Sequence, residues 1–193
     1  MSRPIPTEDE KDEVLLAARY GDIEDLQQFV EKFGAEPLND IRDGSGNSVL
    51  HMVCANGHTA ALDYLLGVVS PSLISAPNAA QSTPLHWAAL NQQLDAARKL
   101  VECPAGPGAA LIDAKNTAGR SPLGEAENVG WEEGAKWFVE VMSLEDAAKG
   151  EGEEELRPAD AADQIEVEIE DAEGQVARMK IAPPAQQSKP ENR

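Results

Sequence analysis

The sequence predicts an all-α solenoid of about four helix-pair units from about Asp12 to Met142, followed by an acidic, largely disordered C-terminal extension. Three observations carry this reading. A block that begins at Ser48 returns 35 positions on at Thr83, and returns again, degraded, a further 38 positions on at Ser121. Behind each copy, apolar residues recur at helical spacing. Past Met142 the composition turns sharply acidic. A period of this size means that each unit is one supersecondary element, which buries its apolar face only against its neighbours.

Residues 1–11 are polar and read as a flexible N-terminal segment, with no apolar stretch for a signal peptide or membrane span. The first unit opens at Val14 to Asp22 (VLLAARYGD), which matches the helix part of the block, with Gly21 lying 36 positions before Gly57. The second, third and fourth units carry SVLHMVCANGH from Ser48, TPLHWAALNQQ from Thr83 and SPLGEAENVGW from Ser121. Ser48, Thr83 and Ser121 stand as helix N-caps, and Pro84 and Pro122 occupy the first helical position, where a missing N–H costs nothing. The small pairs Ala17-Ala18, Val53-Cys54 and Ala88-Ala89 let neighbouring helices approach closely. Gly21, Gly57 and Gly130 sit where a short helix must stop and reverse, a position that favours a left-handed backbone.

A second helix follows in every unit. Its buried face is expected from Ile23, Leu26, Phe29 and Val30, then Leu62, Leu65 and Leu66, then Leu94, Ala97, Leu100 and Val101, and last Ala135, Phe138, Val139 and Met142. The solenoid spans 12–142 and the extension 143–193. Between Glu145 and Glu173 there are 13 acidic and two basic residues, so that segment carries −11 of the chain's −19. Like-charge density of that order favours a solvated, extended chain. Ile165, Val167 and Ile169 alternate with glutamates, and Val176 to Ile181 follow an Asp171-Ala172-Glu173-Gly174 turn. This is the pattern of a marginal β-hairpin, seldom stable alone in water, so disorder or order gained on a partner is expected there. Pro183 to Arg193 read as a flexible end.

The charge also bounds the partners. At 16 Lys plus Arg against 35 Asp plus Glu, the surface repels phosphate backbones and anionic lipid, so direct nucleic-acid and membrane binding are not expected and a basic partner is. Cys54 and Cys103 make no disulfide framework, which points to a reducing intracellular compartment, and the localisation expected is cytoplasm and nucleus. With 4% aromatics, the core must be Leu, Ala and Val between helices.

The block resembles the ankyrin repeat, whose signature reads T-P-L-H-x-A about once per 33 residues. TPLHWAA matches it fully and SVLHMVC partly; the departures are two extra residues in the second unit, five in the third (ECPAGPGAALIDAK), and Gly124 where His stands in the family. The resemblance implies stacked antiparallel helix pairs with outward hairpin loops, such as 43–47 and 116–119. It implies that the histidine of each block is buried and bonds backbone in the neighbouring loop, so His51, His86, Gly57 and Pro84 are expected to be structural. It also implies a concave partner-binding face presenting Arg19, Tyr20, Asp43, Met52, Asn56, Trp87, Leu90, Asn91, Glu125 and Asn128. Trp87 on that face either anchors a partner or packs onto an adjacent inner helix or loop.

No catalytic machinery is legible. His51 and Cys54 lie three apart on a helix but find no third ligand at metal-binding spacing, and phosphate-loop, nucleophile-elbow and dinucleotide signatures are missing. No enzyme activity, metal or cofactor is expected. Within the family, four units followed by an acidic extension are similar to the fungal dedicated chaperone of a small-subunit ribosomal protein, the third of that subunit. That likeness implies a monomer which captures a newly made basic ribosomal protein through a basic amphipathic helix, keeps it soluble and delivers it to small-subunit assembly. The alternative is a generic ankyrin scaffold or an inhibitor of a kinase or transcription factor.

Overall fold

The computed structural model describes residues 3–150 and the segments 165–170 and 176–181, with side chains through Leu144. Within the described residues, Thr7 starts the first helix, α1 (Glu8–Tyr20), through a capping box: its hydroxyl accepts from Glu10 N–H, and the Glu10 carboxylate accepts from Thr7 N–H at 2.8 Å. Gly21, at φ 74°, stops it, and Asp22 caps α2 (Ile23–Phe33). The same pairing follows in α3 (Val49–Asn56) with α4 (Thr59–Leu66), α5 (Pro84–Leu90) with α6 (Leu94–Val101), and α7 (Pro122–Asn128) with α8 (Glu132–Gly150). Ser48, Thr83 and Ser121 are the N-caps, and Pro84 and Pro122 open their helices. The described residues thus form four helix pairs.

Helices α1, α3, α5 and α7 pack side by side as an inner row, and α2, α4 and α6 as an outer one. Leu26, Leu50, Leu62, Leu65, Leu85 and Leu100 between the rows are completely buried, with Ala18, Ala88, Ala89 and Ala97 where backbones come close. Each pair is docked on the next by side chains as well. His58 of the second pair lies over Gly21, and Gln93 of the third over Gly57, so a Cβ at either glycine would collide with it.

Three features depart from expectation. The stretches after the second helices are not plain loops: each contains a 3-10 turn, Glu36–Asn39, Pro71–Leu73 and Gly108–Asp113, burying Leu38, Leu73 and the pair Leu111 and Ile112. The long insertion of the third unit therefore contributes to the core. Val139, expected on a buried face, is 50% exposed, because α8 packs on α7 and the third 3-10 turn and no outer helix follows to cover its far side among the described residues. Phe138 takes the interior instead, edge-on to Trp131 and tilted against Trp137. The third unit has no glycine at its helix reversal, yet Gln92 still adopts the left-handed conformation, at φ 58°. A side chain there costs on the order of 1 kcal/mol. Gln92→Gly should raise stability by about 0.5–1 kcal/mol; an unchanged or lower urea midpoint would contradict this.

The chain divides into two compact units, Met1–Gly152 and Glu153–Arg193. In the second, β1 (Ile165–Glu170) and β2 (Val176–Ile181) pair antiparallel, so the hairpin pattern of the extension is realised. The register sets Ile165, Val167 and Ile169 opposite Ile181, Met179 and Ala177, and Glu166 and Glu168 opposite Lys180 and Arg178. Two boundaries move: residues 8–11, expected to be flexible, form the first turn of α1 behind the Thr7 cap, and residues 143–150, expected in the disordered extension, continue α8 to Gly150. The turn expected at 171–174, the disorder expected over 151–164 and the flexible end from Pro183 lie outside the described residues.

Candidate partner-binding face

The loops that connect the pairs repeat one hydrogen-bonding unit. At the loop starts, Asp43 N–H donates to the Asn47 carbonyl, Asn78 N–H to Ser82 and Asn116 N–H to Arg120, at 2.9–3.0 Å. The side-chain oxygen of the same residue accepts from two backbone N–H groups further round the loop: Ser45 and Asn47, Ala80 and Ser82, Ala118 and Arg120. Successive loops are then zipped together, Ala79 N–H to the Ser45 carbonyl at 3.0 Å and Thr117 N–H to the Ala80 carbonyl at 2.9 Å. Asp43, Asn78 and Asn116 recur at the offsets of the histidine block, a signal that the search for apolar periodicity passes over. This places Asp43 differently from the partner-facing acid expected. Its carboxylate is half-buried and also accepts from Asn47 Nδ2 at 2.9 Å. Burial pushes the Asp43 carboxyl up, but the hydrogen bonds from Asn47 and Ser45 outweigh it and hold it below the usual range.

His51 and His86 tie each inner helix to the next loop. His51 Nε2 donates to the Ser82 carbonyl at 2.9 Å, so Nδ1 is the acceptor for Ser48 N–H at 3.1 Å and for the Ser48 hydroxyl at 2.9 Å. His86 repeats this with the Arg120 carbonyl and Thr83. Both rings are completely buried. Burial pushes His51 down to about 4, the Ser82 carbonyl opposing, and pushes His86 down as well, so both stay neutral. Pro84 is buried at the start of α5, and Gly57 reverses the chain at φ 71°.

On the inner row, equivalent positions of successive helices line up. Leu16, Met52 and Trp87 share one position, Arg19, Ala55 and Leu90 another, and Tyr20, Asn56 and Asn91 a third. Tyr20 is 74% exposed, Leu16 49% and Leu90 37%; Met52 and Trp87 are half-buried, and Arg19, Asn56, Asn91 and Asn128 are exposed. Asn56 Nδ2 donates to the Met52 carbonyl and Asn91 Nδ2 to the Trp87 carbonyl, both at 2.9 Å, closing the helix ends beside the apolar residues. The Trp87 ring stands at 90° to His51 with centroids 6.1 Å apart, so a rigid buried group sets its orientation. Leu16 was missed by the sequence reading, although alignment of Gly21 with Gly57 puts it level with Met52.

Glu125 is a correction. Expected on the partner-facing surface, it is 1% exposed, its Oε1 accepting from Asn116 Nδ2 at 2.6 Å. Oε2 lies 3.0 Å from Arg120 Nε outside hydrogen-bonding geometry, so that contact is held by charge. The fourth unit lacks the histidine, and this buried carboxylate braces its loop instead. Glu127 and Asn128 are the exposed residues of α7.

Reactive chemistry finds little footing. Cys54 is buried and desolvation pushes its thiol well up, away from the thiolate. Among the described residues, no group of three or more His, Cys, Asp or Glu is placed to hold a metal ion, and no helix is long and apolar enough to cross a membrane.

A family profile described as ankyrin repeats, in three copies, matches residues 14–116. An ankyrin repeat-containing protein of Schizosaccharomyces pombe is 31% identical over 144 residues, covering 75% of this chain and 94% of that protein. The ankyrin repeat-containing protein YAR1 of Saccharomyces cerevisiae is 37% identical over 71 residues, covering 36% of this chain and 35% of YAR1, so the match spans about a third of that relative. Among solved structures, a chain of the crystal structure of the yeast ribosomal protein Rps3 in complex with its chaperone Yar1 superimposes with a TM-score of 0.64 at 28% identity, over 81% of this chain and 100% of that one.

Proposed function

The chain belongs to the ankyrin-repeat family, and from that premise we propose that it is a non-enzymatic binding protein, a dedicated chaperone of a basic small-subunit ribosomal protein. The observation that carries this is the row of exposed and half-exposed apolar side chains on the inner helices, Leu16, Tyr20, Met52, Trp87 and Leu90, on a chain of net charge −19. An amphipathic basic helix laid along that row gains apolar contact from its own stripe, while its cations meet a surface whose charge is opposite. Bound in this way, the client stays soluble, has its RNA-binding surface masked, and is carried to the assembling subunit. The name of the structural relative, a chaperone in complex with Rps3, supports the reading. The free protein acts as a monomer, in cytoplasm and nucleus.

The test is direct binding of purified yeast Rps3 across a salt series, beside a lysate pull-down washed at low and high salt. Capture of a basic client predicts tight, salt-sensitive association; salt-insensitive capture of a kinase or transcription factor would favour a regulatory scaffold. The acidic run from Glu145 to Glu173 adds long-range attraction. Replacing its acids with Gln and Asn should slow association about tenfold at low salt, the gap closing as ionic strength rises, while dissociation changes less. Scrambling the run at fixed composition should leave the association rate within about threefold. A scramble as damaging as neutralisation would show that the run works through fitted contacts and not through its field.

A further inference from the structure

The first helix pair has an open side: no helix precedes α1 among the described residues, so the groove between α1 and α2 is not covered as it is between later pairs. It encloses about 560 Å³. Its floor is apolar, with Val14, Ala17 and the Phe29–Phe33 pair, whose rings lie 4.9 Å apart. Its rims carry four carboxylates, Glu10, Glu13, Asp22 and Asp25, and among the described residues one cation, Lys32. That cation is already engaged: its ammonium lies 2.7 Å from Glu10 and 4.8 Å from the centroid of Phe33. Glu13, Asp22 and Asp25 therefore leave the groove net negative above an apolar floor.

Two exposed side chains connect this groove to the inner row. Leu16 and Tyr20 line its mouth, and they hold the positions that Met52 and Trp87, and Asn56 and Asn91, hold further along. A large aromatic that is 74% exposed beside three carboxylates with no ion-pair partner among the described residues fits a ligand with both an apolar side chain and positive charge. A second copy of this chain fits poorly, since it would bring a molecule of charge −19 against the same sign.

We propose that the α1–α2 groove is a second docking site, for a short basic segment of the captured protein that bears an aliphatic or aromatic side chain and continues from the part held on the inner row. This rests on the capture reading above and extends it to a defined end of the solenoid. The apolar side chain sits over Leu16 and Tyr20, and flanking lysines or arginines meet Glu13, Asp22 and Asp25. The inner row and the groove together set which end of the bound segment lies at the first helix pair.

The full-length protein is titrated against purified yeast Rps3 at low and high salt as wild type, Glu13→Gln with Asp25→Asn, Tyr20→Ala, and Trp87→Ala. The groove predicts that the charge-neutral pair binds about tenfold more weakly at low salt with a flatter salt dependence, and that Tyr20→Ala binds about tenfold more weakly at every salt concentration. All of these positions but Trp87 are exposed, so thermal melts should stay within a few degrees of wild type. If both groove variants bind as wild type while Trp87→Ala is weakened, the groove is overturned and the capture reading stands. If wild type fails to bind Rps3, the capture reading falls and the groove with it. Sedimentation of the free protein should show a monomer; a dimer that Tyr20→Ala dissociates would mean that the groove is a self-association face, which overturns the proposal.

Discussion

Replacing His51 with alanine should destabilise the solenoid by about 3 to 5 kcal/mol, with the apolar core otherwise intact. The ring is completely buried, and its two nitrogens serve Ser48 N–H, the Ser48 hydroxyl and the Ser82 carbonyl. Alanine strands those buried groups, each worth about 1–3 kcal/mol when unsatisfied, and leaves a cavity beside Trp87. The damage spreads across two units, because Ser48 caps α3 while Ser82 belongs to the next loop. Urea unfolding should also show a distinctive pH dependence. His51 titrates at about 4 folded, against 6.5 for an unperturbed histidine. The unfolded chain therefore binds the proton first, so stability is full above pH 6.5 and is lost as pH falls from 6.5 to about 4. Over that window the wild type should lose up to about 3 kcal/mol through this residue, and His51→Ala should lose that much less. Glu10, at about 2, and Asp43, held below its ordinary range, lose their contributions mainly below that window, and His86, also pushed down by burial, is present in both proteins, so the difference between the two profiles reports His51. Parallel pH profiles for wild type and variant would show that His51 is not held neutral by the fold.

The parts of this structure that were legible in the sequence are those repeated at a constant offset. Ser48, Thr83 and Ser121 cap their helices, and Gly21, Gly57 and Gly130 take positive φ, because local backbone geometry leaves few residue types to choose from. The second helices were readable from Leu26, Leu62, Leu65 and Leu100, whose spacing is a property of one helix. What escaped depends on neighbours. Val139 continues a helical stripe and yet is exposed, since whether a stripe is covered is decided by a neighbouring helix and no further helix follows α8 among the described residues. Leu38, Leu73 and Leu111 are too few and too close to Pro and Gly to show a period, so their 3-10 turns read as loops. Glu125 was assigned by position to the surface, but Asn116 and Arg120, nine and five residues earlier, give a buried carboxylate both a donor and a counter-charge.

Trp87→Ala should weaken capture of the basic client by about 1 to 4 kcal/mol, a five- to thousand-fold loss of affinity, while lowering stability far less than His51→Ala does. The sequence left Trp87 open between partner anchor and internal packing, and the structure combines features of both. The ring is half-buried and stands edge-on to His51, a contact worth about 0.5–1.5 kcal/mol. That is the stability to be lost. The remaining exposed part lies level with Leu16 and Met52, next to exposed Leu90 and Asn91, so a helix crossing the inner row must pass over it. A ring held in one orientation before binding loses little freedom when covered, which is what gives an aromatic anchor more affinity than its area alone provides. The effect should appear in the dissociation rate and vary little with salt, in contrast to the charge-neutral variants of the acidic run and of the α1–α2 groove. Dissociation of Rps3 followed at two salt concentrations, beside a thermal melt of each variant, separates these contributions. A Trp87→Ala protein that binds normally but melts as low as His51→Ala would place the indole in the core and move the client to another face.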